Sequence, residues 1–193
     1  MAKTKATVIT SFSARLPFAE QAADQHAAEM VTAITAETRD ALRVLVRRAI
    51  AEGIPPRDLA RLVRDVVGLS TPQALAALAY RESLTSVGLS PDLVETRTAR
   101  YAAKLRRQRA VMIARTEVMR ALNAGQDAGW AHAQQAGLLG PSARRVWMTN
   151  PKACKACDAL HGKTAPVGEP FDGGIRRPPR HPSCRCTLGL DPG

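Results

Sequence analysis

The stretch CKACDALHGK, residues 154–163, is followed by RHPSCRC, residues 180–186, and together they hold all four cysteines of the chain and two of its four histidines. Cys154 and Cys157 have the two-residue spacing that lets one tight turn aim both sulfurs at a single ion. His181, Cys184 and Cys186 supply three further donors, and His161 is a sixth on paper. Tetrahedral zinc takes four ligands. The favoured set is Cys154, Cys157, His181 and Cys184, with Cys186 as the alternative ligand, and the expected ion is a structural zinc.

The surrounding composition explains why an ion would be needed. Residues 141–193 contain 8 of the 13 prolines and 6 of the 13 glycines, which excludes long helices there. Their larger apolar side chains are few: Val146, Trp147, Met148, Leu160, Val167, Phe171, Ile175, Leu188 and Leu190. Only ARRVWMT (143–149) and CTLGL (186–190) read as strands. A structural zinc site has an apparent binding energy on the order of 10–16 kcal/mol, which becomes folding energy when the metal-free segment is disordered.

Three other readings of the cysteines are weaker. A redox CxxC belongs after a strand and at a helix N-terminus, whereas Cys154 follows WMTNPKA without a helical continuation. Catalytic zinc needs an open position and a general base, and by sequence only Asp158 and Glu169 are in reach. Simple buried thiols would leave the thin core without a staple. Disulfides are disfavoured because the N-terminus has no secretory h-region and no run of eighteen apolar residues occurs, so a soluble chain with reduced thiols is expected.

Upstream the pattern is helical. From Phe18 to Glu52 there is no Pro or Gly, and Ala27, Val31, Ile34, Thr38, Ala41, Leu45 and Ala49 recur at three- and four-residue steps, which predicts one long amphipathic helix ended by Gly53. IPPRDLARLVRDVVG restarts with proline in the first turn and places Leu59, Leu62, Val63 and Val66 on one face. STPQALAALAYRESLTSVG predicts a third helix with Thr71 as N-cap, Pro72 at its first position, Leu75, Leu78 and Ala79 inward, and Gly88 after its end. Ser90 and Pro91 open a fourth, which can run with a break to Gly137. A helix-turn-helix reading of residues 55–87 is disfavoured, because PQALAALAYRESL offers Ala and Leu where a reading helix presents Arg, Asn or Gln to base edges. The fold class is therefore α+β. Residues 1–140 form a helical domain, and residues 141–193 form a small metal-binding domain containing β-strands.

The formal net charge of +11 is concentrated late, with +2 over residues 1–100, +4 over 101–140 and +5 over 141–193. A basic surface attracts polyanions without regard to sequence. In RYAAKLRRQR, Arg100, Lys104, Arg106, Arg107 and Arg109 stand together with no acid, which suggests nonspecific contact with double-stranded DNA. A solvated helix face is the alternative reading of this run. Aromatic content of 4% argues against base-stacking platforms for single strands.

RAVMIARTEVMRALNAGQDAGW, then RRVWMTN, CKACDALHGK and PPRHPSCRC, in that order over residues 109–188, resemble the phage head morphogenesis family, the minor head proteins similar to the F protein of phage Mu. GIPPRDLARLVRD and LSTPQALAAL match it more loosely. The chain departs from the family pattern at His161, before Gly162, and at Asn150, near where Asp is common. The resemblance implies a virion or procapsid component, present in the host cytoplasm during assembly and associated with the portal protein and other head proteins. Its expected role is in head morphogenesis and DNA packaging or delivery, without enzymatic activity. No Ser/His/Asp set, paired-carboxylate site or phosphate loop emerges from the residues themselves. Arg115 and Glu117 of IARTE, beside the small stripe Ala114, Val118, Ala121, Gly125 and Ala128, read as an ion pair holding the tail to the helix. A basic zinc-binding nucleic-acid-binding protein is the alternative function, and no membrane partner is expected.

Overall fold

The computed structural model describes Gln21 and residues 36–193. Helix α1 spans Ala36–Glu52, α2 Pro56–Val66, α3 Thr71–Ser86 and α4 Pro91–Gln135. The upstream part of the helix expected from Phe18, with Ala27, Val31 and Ile34, lies outside the described residues apart from Gln21, which is helical. Gly53, at φ +67°, ends α1 in the left-handed conformation, and the Ile54 N–H returns to the Ala49 carbonyl at 2.7 Å.

The helical core is built from Leu42, Val46 and Ile50 of α1, Leu59 and Val63 of α2, and Ile113, Val118 and Leu122 of α4. Ala110, Ala114 and Ala121 are buried among them, and their small side chains let the helices approach closely. The buried face of α1 runs through Leu42, Val46, Ala49 and Ile50; Ala49 is buried as expected, whereas Leu42, Val46 and Ile50 lie one step round from the expected Ala41 and Leu45. Leu45 packs only at its edge.

Helix α3 departs from expectation in two respects. Its N-cap is Ser70 rather than Thr71, with the Ser70 N–H donated to Gln73 Oε1 at 3.1 Å in a capping box, so Pro72 stands one position further in. Leu75 and Leu78, expected inward, are 61% and 52% exposed, and Ala79 is exposed as well. Ala77 and Leu84 are buried in their place. Gln73 also fixes the rotation of α3 by donating to the Leu105 carbonyl of α4, and Tyr80 lies against Tyr101 at 4.7 Å between ring centroids.

Helix α4 runs for 45 residues without the expected break. No proline follows Pro91 within it, and Gly125, which costs about 1 kcal/mol in a helix interior, is buried in the stretch that carries the C-terminal segment.

That segment is a three-stranded antiparallel sheet in the order β2-β1-β3, with β1 Arg144–Met148, β2 Thr164–Pro166 and β3 Thr187–Asp191. β1 and β3 fall where strands were expected. β2 is three residues ending in proline, with no alternation to betray it. The register pairs Trp147 with Leu188 and Arg145 with Leu190, so these four share one face. Trp147 is fully buried and meets Phe171 edge-on at 5.4 Å.

Arg145, only 1% exposed, ties the segment together. It donates to Asp127 Oδ1 of α4 at 2.7 Å and to the carbonyls of Pro166, Glu169 and Arg176, and it lies over the Phe171 ring. Arg177 pairs with the other oxygen of Asp127 at 3.3 Å. A buried guanidinium is tolerated where its donors are met in this way.

Candidate metal centre

Cys154, expected to have no helical continuation, in fact follows β1 and caps the one-turn helix α5, Lys155–Asp158, and its carbonyl accepts both the Cys157 and Asp158 N–H groups at 2.9 Å. The turn brings the two sulfurs to one side. The second turn is His181-Pro182-Ser183-Cys184, closed by the Cys184 N–H on the His181 carbonyl at 3.1 Å. Ser183 sits at φ +60°, the only non-glycine with positive φ among the described residues. Its N–H is held by Thr116 Oγ1 of α4 at 2.8 Å, which anchors a conformation disfavoured for a side-chain-bearing residue.

The two turns meet at sulfur and imidazole. Cys154 Sγ and Cys157 Sγ lie 3.3 and 3.2 Å from His181 Nε2, and Cys157 Sγ lies 3.8 Å from Cys184 Sγ. Two overlapping triads result, Cys154-Cys157-His181 and Cys157-Cys184-Cys186, sharing Cys157. Both are candidate metal-binding groups. Tetrahedral zinc, with Zn–S about 2.3 Å and Zn–N about 2.0–2.1 Å, spaces its donors about 3.5–3.8 Å apart. The separation of Cys157 from Cys184 matches that spacing, and the two sulfur–imidazole separations are shorter by a few tenths of an ångström. Cys184 stands in the second triad rather than with Cys154 and His181. His181 Nδ1 lies 2.9 Å from the Pro182 carbonyl. Donation there puts the proton on Nδ1 and leaves the Nε2 lone pair facing the thiols.

The electrostatics separate the thiols. The Cys186 thiol donates to Cys184, holding Cys184 down to about 5 and pushing Cys186 itself well above the usual thiol range. Burial pushes Cys157 up to about 12, and the Cys157 backbone N–H lowers exposed Cys154. The Pro182 carbonyl raises His181. Cys157, Cys184 and Cys186 also belong to the apolar cluster of Trp147, Leu160, Ala165, Phe171 and Leu188, so these three thiols are part of the tail's core, whereas Cys154 is exposed.

His161 stands outside both triads. Its Nδ1 accepts the Thr149 N–H at 3.2 Å, so it braces the loop after β1. Glu117 is buried as expected, but the ion pair seen is to Arg120 on its own helix, at 4.0 Å. The tail is gripped instead by Thr116 and Asn123, two turns apart on α4. Asn123 is wholly buried. It accepts the Leu188 N–H at 3.0 Å and the Thr187 hydroxyl at 3.2 Å, and donates to the Met119 and Cys186 carbonyls. These two residues went unread in the sequence, although uncharged polar side chains at seven-residue spacing within a small-residue face were a visible sign.

Of the five basic residues singled out for DNA, Arg100, Lys104, Arg106 and Arg107 are exposed on α4. Arg109 is 6% exposed and turned into the helical layer, which removes it from any surface contact.

The longest member of the helical layer grips the Cys/His knuckle and the small sheet through Thr116 and Asn123. Residues 40–189 match the family described as Phage Mu protein F like protein, and the chain belongs to that family. It is a phage-head-related protein. No curated protein and no solved structure matches it. No helix among the described residues is long and apolar enough to cross a membrane.

Proposed function

We propose that the chain is a non-enzymatic minor head protein that joins the portal protein and other head proteins at a virion or procapsid vertex, and acts in head morphogenesis and in DNA packaging or delivery. The observation that carries this reading is the family match over residues 40–189, which takes in both the helical layer and the Cys/His knuckle. A structural zinc held by Cys154, Cys157, His181 and Cys184, with the Cys186 thiol hydrogen-bonded to Cys184, would supply no chemistry beyond cross-linking the two turns. On this reading residues 141–193 are a metal-stapled unit docked on α4. Leu75 and Leu78, exposed on α3, are apolar side chains that can be changed without disturbing the core.

Co-expression with the portal protein encoded in the same phage or prophage tests this. The wild type should copurify with portal or with heads, and Leu75→Asp with Leu78→Asp should remain folded while its incorporation falls by about tenfold, the loss of two apolar contacts of roughly 0.7 kcal/mol each. A wild type that never accompanies portal or heads would remove the assembly role.

A further inference from the structure

Helices α2 and α4 enclose a cleft of about 320 Å³ lined by Arg57, Ala60, Arg64, Arg107 and Val111. Arg57 and Arg64 stand two turns apart on α2, on either side of buried Ala60, and Arg107 crosses from α4 above Val111. All three guanidinium-bearing residues are exposed. No carboxylate is among the lining residues, although Asp58 and Asp65 adjoin Arg57 and Arg64 in the α2 sequence, and no carboxylate occurs on α4 between Glu95 and Glu117.

The cleft also continues along α4. Arg97, Arg100, Lys104 and Arg107 are all exposed and follow one another at three- and four-residue steps, which places them on one stripe about 15 Å long. Arg106 lies round the helix from this stripe, and Arg109 is buried. A line of cations leading into a groove with an apolar floor concentrates positive potential there, because low-dielectric walls focus the field.

We propose that this cleft and stripe form a phosphate-binding track for the backbone of duplex DNA, with the Arg57-Arg64-Arg107 cleft as its principal phosphate seat. The proposal goes beyond the head-assembly reading and stands independently of it. Guanidinium groups match phosphate oxygens in planar, bidentate fashion. The even spacing along a helix suits a polymer of regularly repeated charge better than the irregular carboxylates of an acidic protein surface. Tyr101, the aromatic residue within this stretch of α4, lies against Tyr80 rather than standing free to stack on single-stranded bases.

The test is filter binding of the full chain to a mixed-sequence 30-base-pair duplex across a salt series. Replacing Arg57, Arg64 and Arg107 together by Gln should weaken binding about tenfold or more and reduce the salt slope by about two to three. The charge-matched change of Arg39, Arg43 and Arg48, all on α1, to Gln should leave both nearly intact. The single Arg107→Gln change, on an exposed side chain, should lower the slope by about one and keeps the test alive should the triple variant misfold. Equal losses in the two triple variants, no duplex binding near 50 mM salt, or polyglutamate binding more tightly than duplex would each overturn the proposal.

Discussion

Asn123 shows what one uncharged side chain does when everything around it is dry. Its carbonyl oxygen holds the first amide of β3 beyond Thr187 and its NH₂ reaches the Cys186 carbonyl, so a single residue sets both the height and the rotation of the strand that follows the last two cysteines. Truncation to alanine would leave the buried Leu188 N–H without its acceptor. Asn123→Ala is expected to destabilise the chain by about 2 kcal/mol, read as a lower urea midpoint. A midpoint unchanged within error would mean that the grip on β3 is carried elsewhere. Arg109 teaches the complementary lesson. It belongs to a run of basic residues that looks uniform in the sequence, yet the helical period turns it toward Ala110 and Ile113 while its neighbours stay in water.

Helix α4 is one element with two environments. Of its first eighteen residues only Val94 is buried, whereas thirteen are buried between Arg109 and Gln126. Local opening follows packing, so amide hydrogens of residues 97–105 should exchange at least about tenfold faster than those of residues 113–124. Uniform protection along the helix would contradict this. Helix ends were legible because prolines and glycines encode them in the backbone: Pro56, Gly53, Gly88 and Pro91 all fall where they were read. The inward face of α3 was not legible. TPQALAALAYRESLTS is apolar on more than one side, and which side is covered depends on a partner helix that its own periodicity does not specify. The knuckle could be read because its donor spacings are local. β2 could not, since its pairing is supplied by β1 rather than by any pattern of its own.

At the scale of the whole molecule, α1, α2 and α4 pack a core that contains no tail residue, while the tail's apolar cluster is completed by its own thiols. Removal of metal should therefore act on one half. Purified protein is expected to carry about one zinc per chain. Cys154→Ser and Cys184→Ser should lose it, whereas Cys186→Ser, which removes a thiol but keeps a hydroxyl donor toward Cys184, should retain it. After chelation, trypsin should cut at Arg176, Arg180 and Arg185 while residues 36–135 survive. Retention of zinc by Cys184→Ser with loss by Cys186→Ser would exchange the roles of those two cysteines. A metal-free chain with an equally resistant tail would dispose of the staple altogether.

The placement of the two tryptophans gives the molecule a built-in optical reporter. Trp147 is sealed in the tail's cluster, Trp130 packs partly against it, and the aromatic residues of the α3–α4 contact are tyrosines. Ultraviolet emission excited at the red edge of the indole band thus comes from the neighbourhood of the Cys/His knuckle and not from the helical layer. Circular dichroism at 222 nm, by contrast, is dominated by α1 to α4. The pair of signals reports separately on the two halves without any label, and a titration in which emission shifts to the red while ellipticity holds is the signature of a tail that has let go of its helix.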